Sequence, residues 1–176
     1  MTRRNRIGLL TATLFAGVLW LAPPAAHAGG SGVGLGVSLG AVFPESDVSD
    51  FSDVGLGWGF WVDIPIAWKF HLTPSAELYN IGMGDQDDLD ENTATDVCMN
   101  FKFIIPLPVL KIFFGAAGGV TNMGHYKANA GLLAGASFGL VANLEAFVQA
   151  KYKIVIWDEV GNLHMLHTNA GVLFVF

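Results

Sequence analysis

The chain has 176 residues, 52% of them hydrophobic, with nine Lys and Arg against fifteen Asp and Glu, a formal net charge of −6. That acidic balance argues against nucleic acid as a partner, and a single cysteine, Cys98, leaves no internal disulfide framework. Beyond about residue 22 there is no run of the ~18 apolar residues that a membrane helix needs, so the hydrophobicity points to strands.

Residues 1–28 read as a targeting segment. Arg3, Arg4 and Arg6 form a basic start, Ile7 to Ala22 an apolar core, and Ala26-His27-Ala28 a small-x-small cleavage site, the layout of a secretory signal peptide removed after Ala28. Without those three arginines, six basic residues face fifteen acidic ones, a formal charge of about −9 for a single domain over 29–176. Cys98 lies far from the cleavage site, so it is not a lipoprotein cysteine.

From Ser31 onward the hydrophobic period is two rather than 3.6, broken at fairly even spacing by polar or Pro-containing connections. The first segment sets Val33, Leu35, Val37, Leu39, Ala41 and Phe43 against Gly32, Gly34, Gly36, Ser38 and Gly40, and an acidic loop follows over Pro44 to Asp53. The second sets Leu56, Trp58, Phe60, Val62, Ile64 and Ile66 against Gly55, Gly57, Gly59, Trp61 and Asp63, with a short connection over Ala67 to His71. In the third, Thr73 to Gly84, Ser75 and Glu77 share a parity with Tyr79, Ile81 and Met83. Either its upper half turns aromatic bulk inward, or a bulge near Leu78 switches faces.

An acidic loop over Asp85 to Asp96 leads to the fourth segment, which sets Val97, Met99, Phe101, Phe103, Ile105 and Leu107 against Cys98, Asn100 and Lys102 and closes with a Pro106 to Leu110 turn. The fifth, Lys111 to Gly124, is Gly-rich and presents Ile112, Phe114, Ala116 and Val120 outward; a short loop over His125 to Ala130 follows. The sixth sets Leu132, Ala134, Ala136, Phe138 and Leu140 against Gly135, Ser137 and Gly139. After a tight turn at Ala142-Asn143, the seventh sets Leu144, Ala146, Val148, Ala150, Tyr152, Ile154 and Ile156 against Glu145, Gln149, Lys151 and Lys153. A loop over Asp158 to His164 enters the eighth, where Thr168, Ala170, Val172, Phe174 and Phe176 share one face.

Eight segments of this length match the ~9 to 11 residues of a tilted membrane strand. An even number puts both ends of the mature chain on one side, and connections after odd strands are mostly the longer and more acidic. A soluble ligand barrel would invert the pattern, apolar inside and polar outside; here Asp63, Lys102, Glu145, Lys151 and Lys153 lie opposite the continuous apolar face. Trp68, Phe70 and Phe176 would mark one membrane interface, Phe43 and Trp157 the other.

A last strand ending on Phe176 with alternate apolar residues before it resembles the closing strand of Gram-negative outer-membrane barrels, and the whole of 29–176 resembles the small OmpA/OmpX-type and opacity-type barrels. The resemblance implies an all-β, eight-stranded antiparallel up-and-down transmembrane barrel, integral to the outer membrane, with loops extracellular and both mature termini periplasmic. Outer-membrane lipids, lipopolysaccharide and, during biogenesis, the barrel-assembly machinery are its implied partners, Phe176 serving as assembly signal. An extracellular partner is left open.

The leading functional expectation is a non-enzymatic envelope or surface protein, with no cofactor and no catalytic metal. A narrow pore is the first alternative. The second is a lipid A-modifying enzyme, for which His167-Thr168-Asn169-Ala170 is a faint echo of a His-x-Ser-Asn-Ala pattern, although Thr replaces Ser and His167 should point inward. The acidic loop, with Asp85, Asp87, Asp88, Asp90, Glu91 and Asp96, could hold a divalent cation, but it lacks the order of an EF-hand loop. Inside the barrel Asp63, Glu77, Lys102, Glu145, Lys151 and Lys153 give three acids and three lysines, which points to a hydrated, charge-paired plug in which Glu77 and Lys102 extend from neighbouring strands. Separate solvation of these side chains in an open lumen is the competing expectation.

Overall fold

The structure, a computed structural model, describes residues 32–45, 54–80, 93–141, 143–156 and 162–176. Eight strands make it up: β1 (Gly34–Pro44), β2 (Gly55–Ala67), β3 (Phe70–Asn80), β4 (Thr93–Pro106), β5 (Lys111–Asn122), β6 (Tyr126–Val141), β7 (Leu144–Val155) and β8 (Leu163–Val175). Each pairs antiparallel with the next, and β8 pairs with β1 to close a barrel. Closure leaves no open edge, so every strand has a ladder partner on both sides, which is the condition for crossing a bilayer with strands.

The pairing is steeply staggered. From Thr73 the ladder runs through Asn100, Ala117, Gly131, Lys153 and Met165 and reaches Pro44. Pro44 lies at the opposite end of β1 from Gly34, the partner of Asp63, and Asp63 is in turn hydrogen-bonded to Thr73. One circuit therefore displaces the register along β1, which requires strongly tilted strands. Residues far apart in strand number meet at one height inside.

Alternation decides the two faces. Outward positions such as Leu39, Leu56, Trp58, Phe101, Phe114, Leu132, Val148 and Phe174 are exposed and apolar, whereas Thr73, Ser75, Asn100, Thr121, Lys151, Lys153 and His167 are buried in the lumen. A water-soluble barrel would not expose such a belt, and the fold is that of a transmembrane barrel. Val62 and Ile64 share the outward parity of β2 but are themselves buried. At the end of the short turns an aromatic ladder runs along the outside. Phe70 stacks on Phe101 at 5.4 Å, Phe103 contacts Phe70 and Phe114 at 5.1 and 5.4 Å, and Trp68 meets Phe103 at 6.5 Å. Lys69 sits over the Trp68 ring at 4.6 Å, the amphipathic mixture suited to a membrane interface.

The inward glycines make room for neighbours. A Cβ on Gly59 would lie 2.9 Å from Cγ of Glu77, and one on Gly171 would lie 2.7 Å from Cζ of Phe147. Rows of glycine in β1 and β2 thus match large inward side chains on the strands beside them.

Several boundaries differ from the sequence reading. The β2–β3 turn is only Trp68-Lys69, with Trp68 at a φ of 44°, so His71 belongs to β3 and points inward. No face switch occurs at Leu78: Thr73, Ser75, Glu77 and Tyr79 are all buried in one unbroken parity, and the register shift lies between Pro65 and Ala67. The connection before β6 is residues 123–125 rather than a loop to Ala130, because Tyr126 already pairs with Asn122. Strand β8 begins at Leu163, within the segment read as a loop. Residues 1–31 and Trp157 lie outside the described residues, as do Asp85 to Glu91.

Candidate functional site

The lumen gathers its charges at two heights. Near the short turns, Asp63 on β2 lies 2.6 Å from His71 Nδ1 on β3, while Thr73 Oγ1 donates to its other oxygen at 2.6 Å. Lys102 on β4 approaches Asp63 to 3.8 Å and rests between the rings of Trp61 at 5.3 Å and Phe113 at 4.9 Å. Closer to the rim, Lys111 of β5 pairs with Glu145 of β7, which also accepts from Ser137 Oγ at 3.2 Å. These groups line a cavity of about 50 Å³, room for a few waters but not for a sugar-sized solute.

Deeper in, Lys151 of β7 donates to Glu77 Oε1 of β3 at 2.5 Å and lies 3.7 Å from Asp96 of β4. Lys153 reaches the other Asp96 oxygen at 3.1 Å and the Tyr79 hydroxyl at 3.0 Å. Asp96 further accepts from Thr121 Oγ1 and Asn129 Nδ2, each at 2.7 Å, and from Cys98 Sγ at 3.1 Å. His167 of β8 sets Nδ1 3.4 Å from Glu77 Oε2 and its ring edge-on to Tyr79 at 4.9 Å. Lys151, Lys153 and His167 have no exposed surface. Above them Val42, Tyr79, Ala94, Val155, Leu163 and Met165 form an apolar cluster with Met123 packed on it. That layer covers the charges on the side of the longer connections.

All six sequence-predicted lumen residues face inward, but their partners were not foreseeable. Glu77 pairs with Lys151 and not with Lys102 of the adjacent strand; Lys102 instead faces Asp63. Asp96 and Lys111 join them, although in the sequence Asp96 closes an acidic run and Lys111 opens a Gly-rich strand. With them, the carboxylate–lysine pairs seen among the described residues take in four carboxylates and four lysines. The signal that could have found Asp96 is parity: it falls on the same face as Cys98, Asn100 and Lys102. Among the described residues no cluster of three or more His, Cys, Asp or Glu is arranged to hold a metal.

A buried ion pair roughly breaks even against apolar side chains of similar volume, whereas losing one partner strands a charge. The arrangement therefore fixes which strands face each other across the lumen and fills the space between them. Phe176, the proposed assembly residue, is exposed on the outer surface and packs edge-on against Phe174 at 5.0 Å.

By sequence, no protein family and no curated protein matches this chain. By structure, Neisserial surface protein A superposes with a TM-score of 0.71 at 16% identity, over 85% of this chain and 100% of that one. Ail, the attachment invasion locus protein of Yersinia pestis, gives a TM-score of 0.50 at 15% identity, over 82% of this chain and 100% of that one. Closed eight-strand pairing, an apolar exterior and these two likenesses agree, and the chain has the fold of the small eight-stranded outer-membrane barrels.

Proposed function

We propose that this protein is a non-catalytic integral outer-membrane barrel, closed to solutes, that contributes to the envelope and presents its longer connections at the cell surface. The observation that carries the reading is the double seal: balanced ion pairs without solvent exposure, and an apolar layer above them. In this reading residues 1–28 are the export signal, 29–176 the barrel, and the short turns face the periplasm, as they do in bacterial barrels generally. Lipopolysaccharide and the other outer-membrane lipids surround the apolar belt. Two structural relatives named for surface and attachment roles support a surface function.

Planar-bilayer recording tests closure. Purified wild-type barrel should give no steady conductance, and Met165→Gly combined with Lys151→Ala should raise the frequency of openings. Stable large openings of the wild type would overturn the closed reading in favour of the pore. The lipid A-modifying alternative has no support from position, since His167 is buried against Glu77 rather than turned to lipid.

Assembly gives a second expectation. Phe176→Ala should lower the amount of barrel reaching the outer membrane of cells while detergent refolding proceeds as for the wild type, because the proposed role of this side chain is recognition by the assembly machinery. Equal outer-membrane levels of the two proteins would remove Phe176 from that role.

A further inference from the structure

The cavity at the short-turn end is lined by Lys102, whose side chain is nine-tenths buried. Its ammonium carries three N–H donors, and no hydrogen bond from it is seen among the described residues. Asp63, the carboxylate beside it, stands 3.8 Å away, beyond hydrogen-bond distance. Both oxygens of Asp63 are already engaged, Oδ2 by His71 Nδ1 and Oδ1 by Thr73 Oγ1, each at 2.6 Å. The rings of Trp61 and Phe113 flank the ammonium at 5.3 and 4.9 Å and hold it at the cavity. Lys151 also approaches the Trp61 ring, at 5.8 Å, and adds a second positive charge to this region.

His71 lies next to Lys102. The two are ladder partners on β3 and β4, and both line the same cavity. Because Asp63 as a carboxylate can only accept, the hydrogen between it and His71 belongs to Nδ1. Nε2 is therefore the ring nitrogen left for a further contact, and it becomes a donor when the ring takes a second proton. The other charged groups at the cavity, Lys111 and Glu145, are paired with each other, and Glu145 also accepts from Ser137 Oγ.

We propose that Lys102 and His71 form a binding site for one small monovalent anion of halide size, which enters together with a proton. Charge requires the pairing. With the imidazole neutral, Asp63 and Lys102 balance, and an added anion would stand uncompensated in a confined space. Protonation of His71 supplies the compensating charge: Asp63 and the anion then face Lys102 and the imidazolium, two charges of each sign. Asp63 accepts from Nδ1, while the anion accepts from Nε2 and from the ammonium, charge-assisted bonds about twice as strong as neutral ones. Size sets the rest. A cavity of about 50 Å³ holds a few water-sized particles, which admits chloride and excludes a sugar acid. Water by itself leaves the ring neutral, and that difference is measurable.

The test uses the full mature barrel in phospholipid nanodiscs, with chloride replacing gluconate, an anion too large for the cavity, at constant ionic strength and neutral pH. The side-chain ¹⁵N resonance of His71 Nε2 should move, with saturation, from the position of a bare ring nitrogen to that of a protonated one. Raising the pH should weaken the apparent affinity by up to about tenfold per unit, since the bound state holds one more proton. Lys102→Met, whose folding is checked by heat-modifiable gel migration, should weaken it by about tenfold or more, the factor that one charge-assisted hydrogen bond supplies. A His71 nitrogen that answers gluconate as it answers chloride, or that no halide moves, would overturn the site and leave the cavity to water. So would an affinity unchanged in Lys102→Met. Should that variant fail to fold, the contrast between chloride and gluconate in the wild type, with its pH dependence, still decides.

Discussion

Replacing Lys151 by Met should lower the stability of the folded barrel by about 3–5 kcal/mol, the range for removing one partner of a buried pair. The argument is local. Lys151 makes the short contact to Glu77, at 2.5 Å; without it, Glu77 keeps among the described residues His167 Nδ1 and Asn169 Nδ2, both at 3.4 Å. Asp96 fares better, because Lys153 remains at 3.1 Å. The stranded charge is therefore Glu77, and removing it as well, in Lys151→Met with Glu77→Gln, should recover most of the loss. Urea unfolding in phospholipid vesicles measures both. Lys111→Met offers a contrast, since its pair with Glu145 is at the rim and the lysine is about a third exposed. Solvent screening there limits the expected loss to about 0–1 kcal/mol. If Lys151→Met also costs less than about 1 kcal/mol, water reaches Glu77 freely and the lumen charges are solvated one by one.

The partners in that experiment could not have been named from the sequence, and the reason is geometric. Parity along a strand is a local property: Lys151 and Lys153 alternate with Val148, Ala150 and Tyr152, and a period of two assigns the faces without reference to any other strand. Register is not local. A stagger that carries Thr73 around the ladder to Pro44 depends on where each turn closes, and turns such as Trp68-Lys69, with a positive φ at Trp, have no sequence signal strong enough to place them within one residue. A one-residue error there changes which lumen side chains share a height. Hence parity alone puts Glu77 on the lumen face, while register decides that the lysine it meets is Lys151, four strands away. The same locality explains Asp96: composition placed it with the acidic run before it, although its parity with Cys98 belonged to the strand after it.

A second large effect is expected on the outside. Leu132→Arg should destabilise the barrel by about 2–4 kcal/mol, and Tyr126→Arg by only about 0–1 kcal/mol, the depth dependence found for cations on the lipid face of membrane barrels. Both residues belong to β6, share one parity and are similarly exposed, at 69% and 62%. What differs is depth. Tyr126 is the first residue of the strand, whereas Leu132 lies six residues in, opposite Ala116 on one side and Tyr152 on the other. Six residues at ~3.4 Å each, tilted by ~35–45°, descend about 15 Å, more than half of an apolar band ~25 Å tall. An arginine at Tyr126 can extend to the headgroups; one at Leu132 has to snorkel past a full turn of apolar neighbours or thin the bilayer around it. Unfolding both variants in vesicles, and again in maltoside micelles, separates the membrane term from packing: the gap between them should shrink in micelles, whose polar surface adapts. Equal losses in vesicles would mean that Leu132 does not lie near the bilayer midplane, and the tilt inferred from the stagger of the ladder would have to be revised with it.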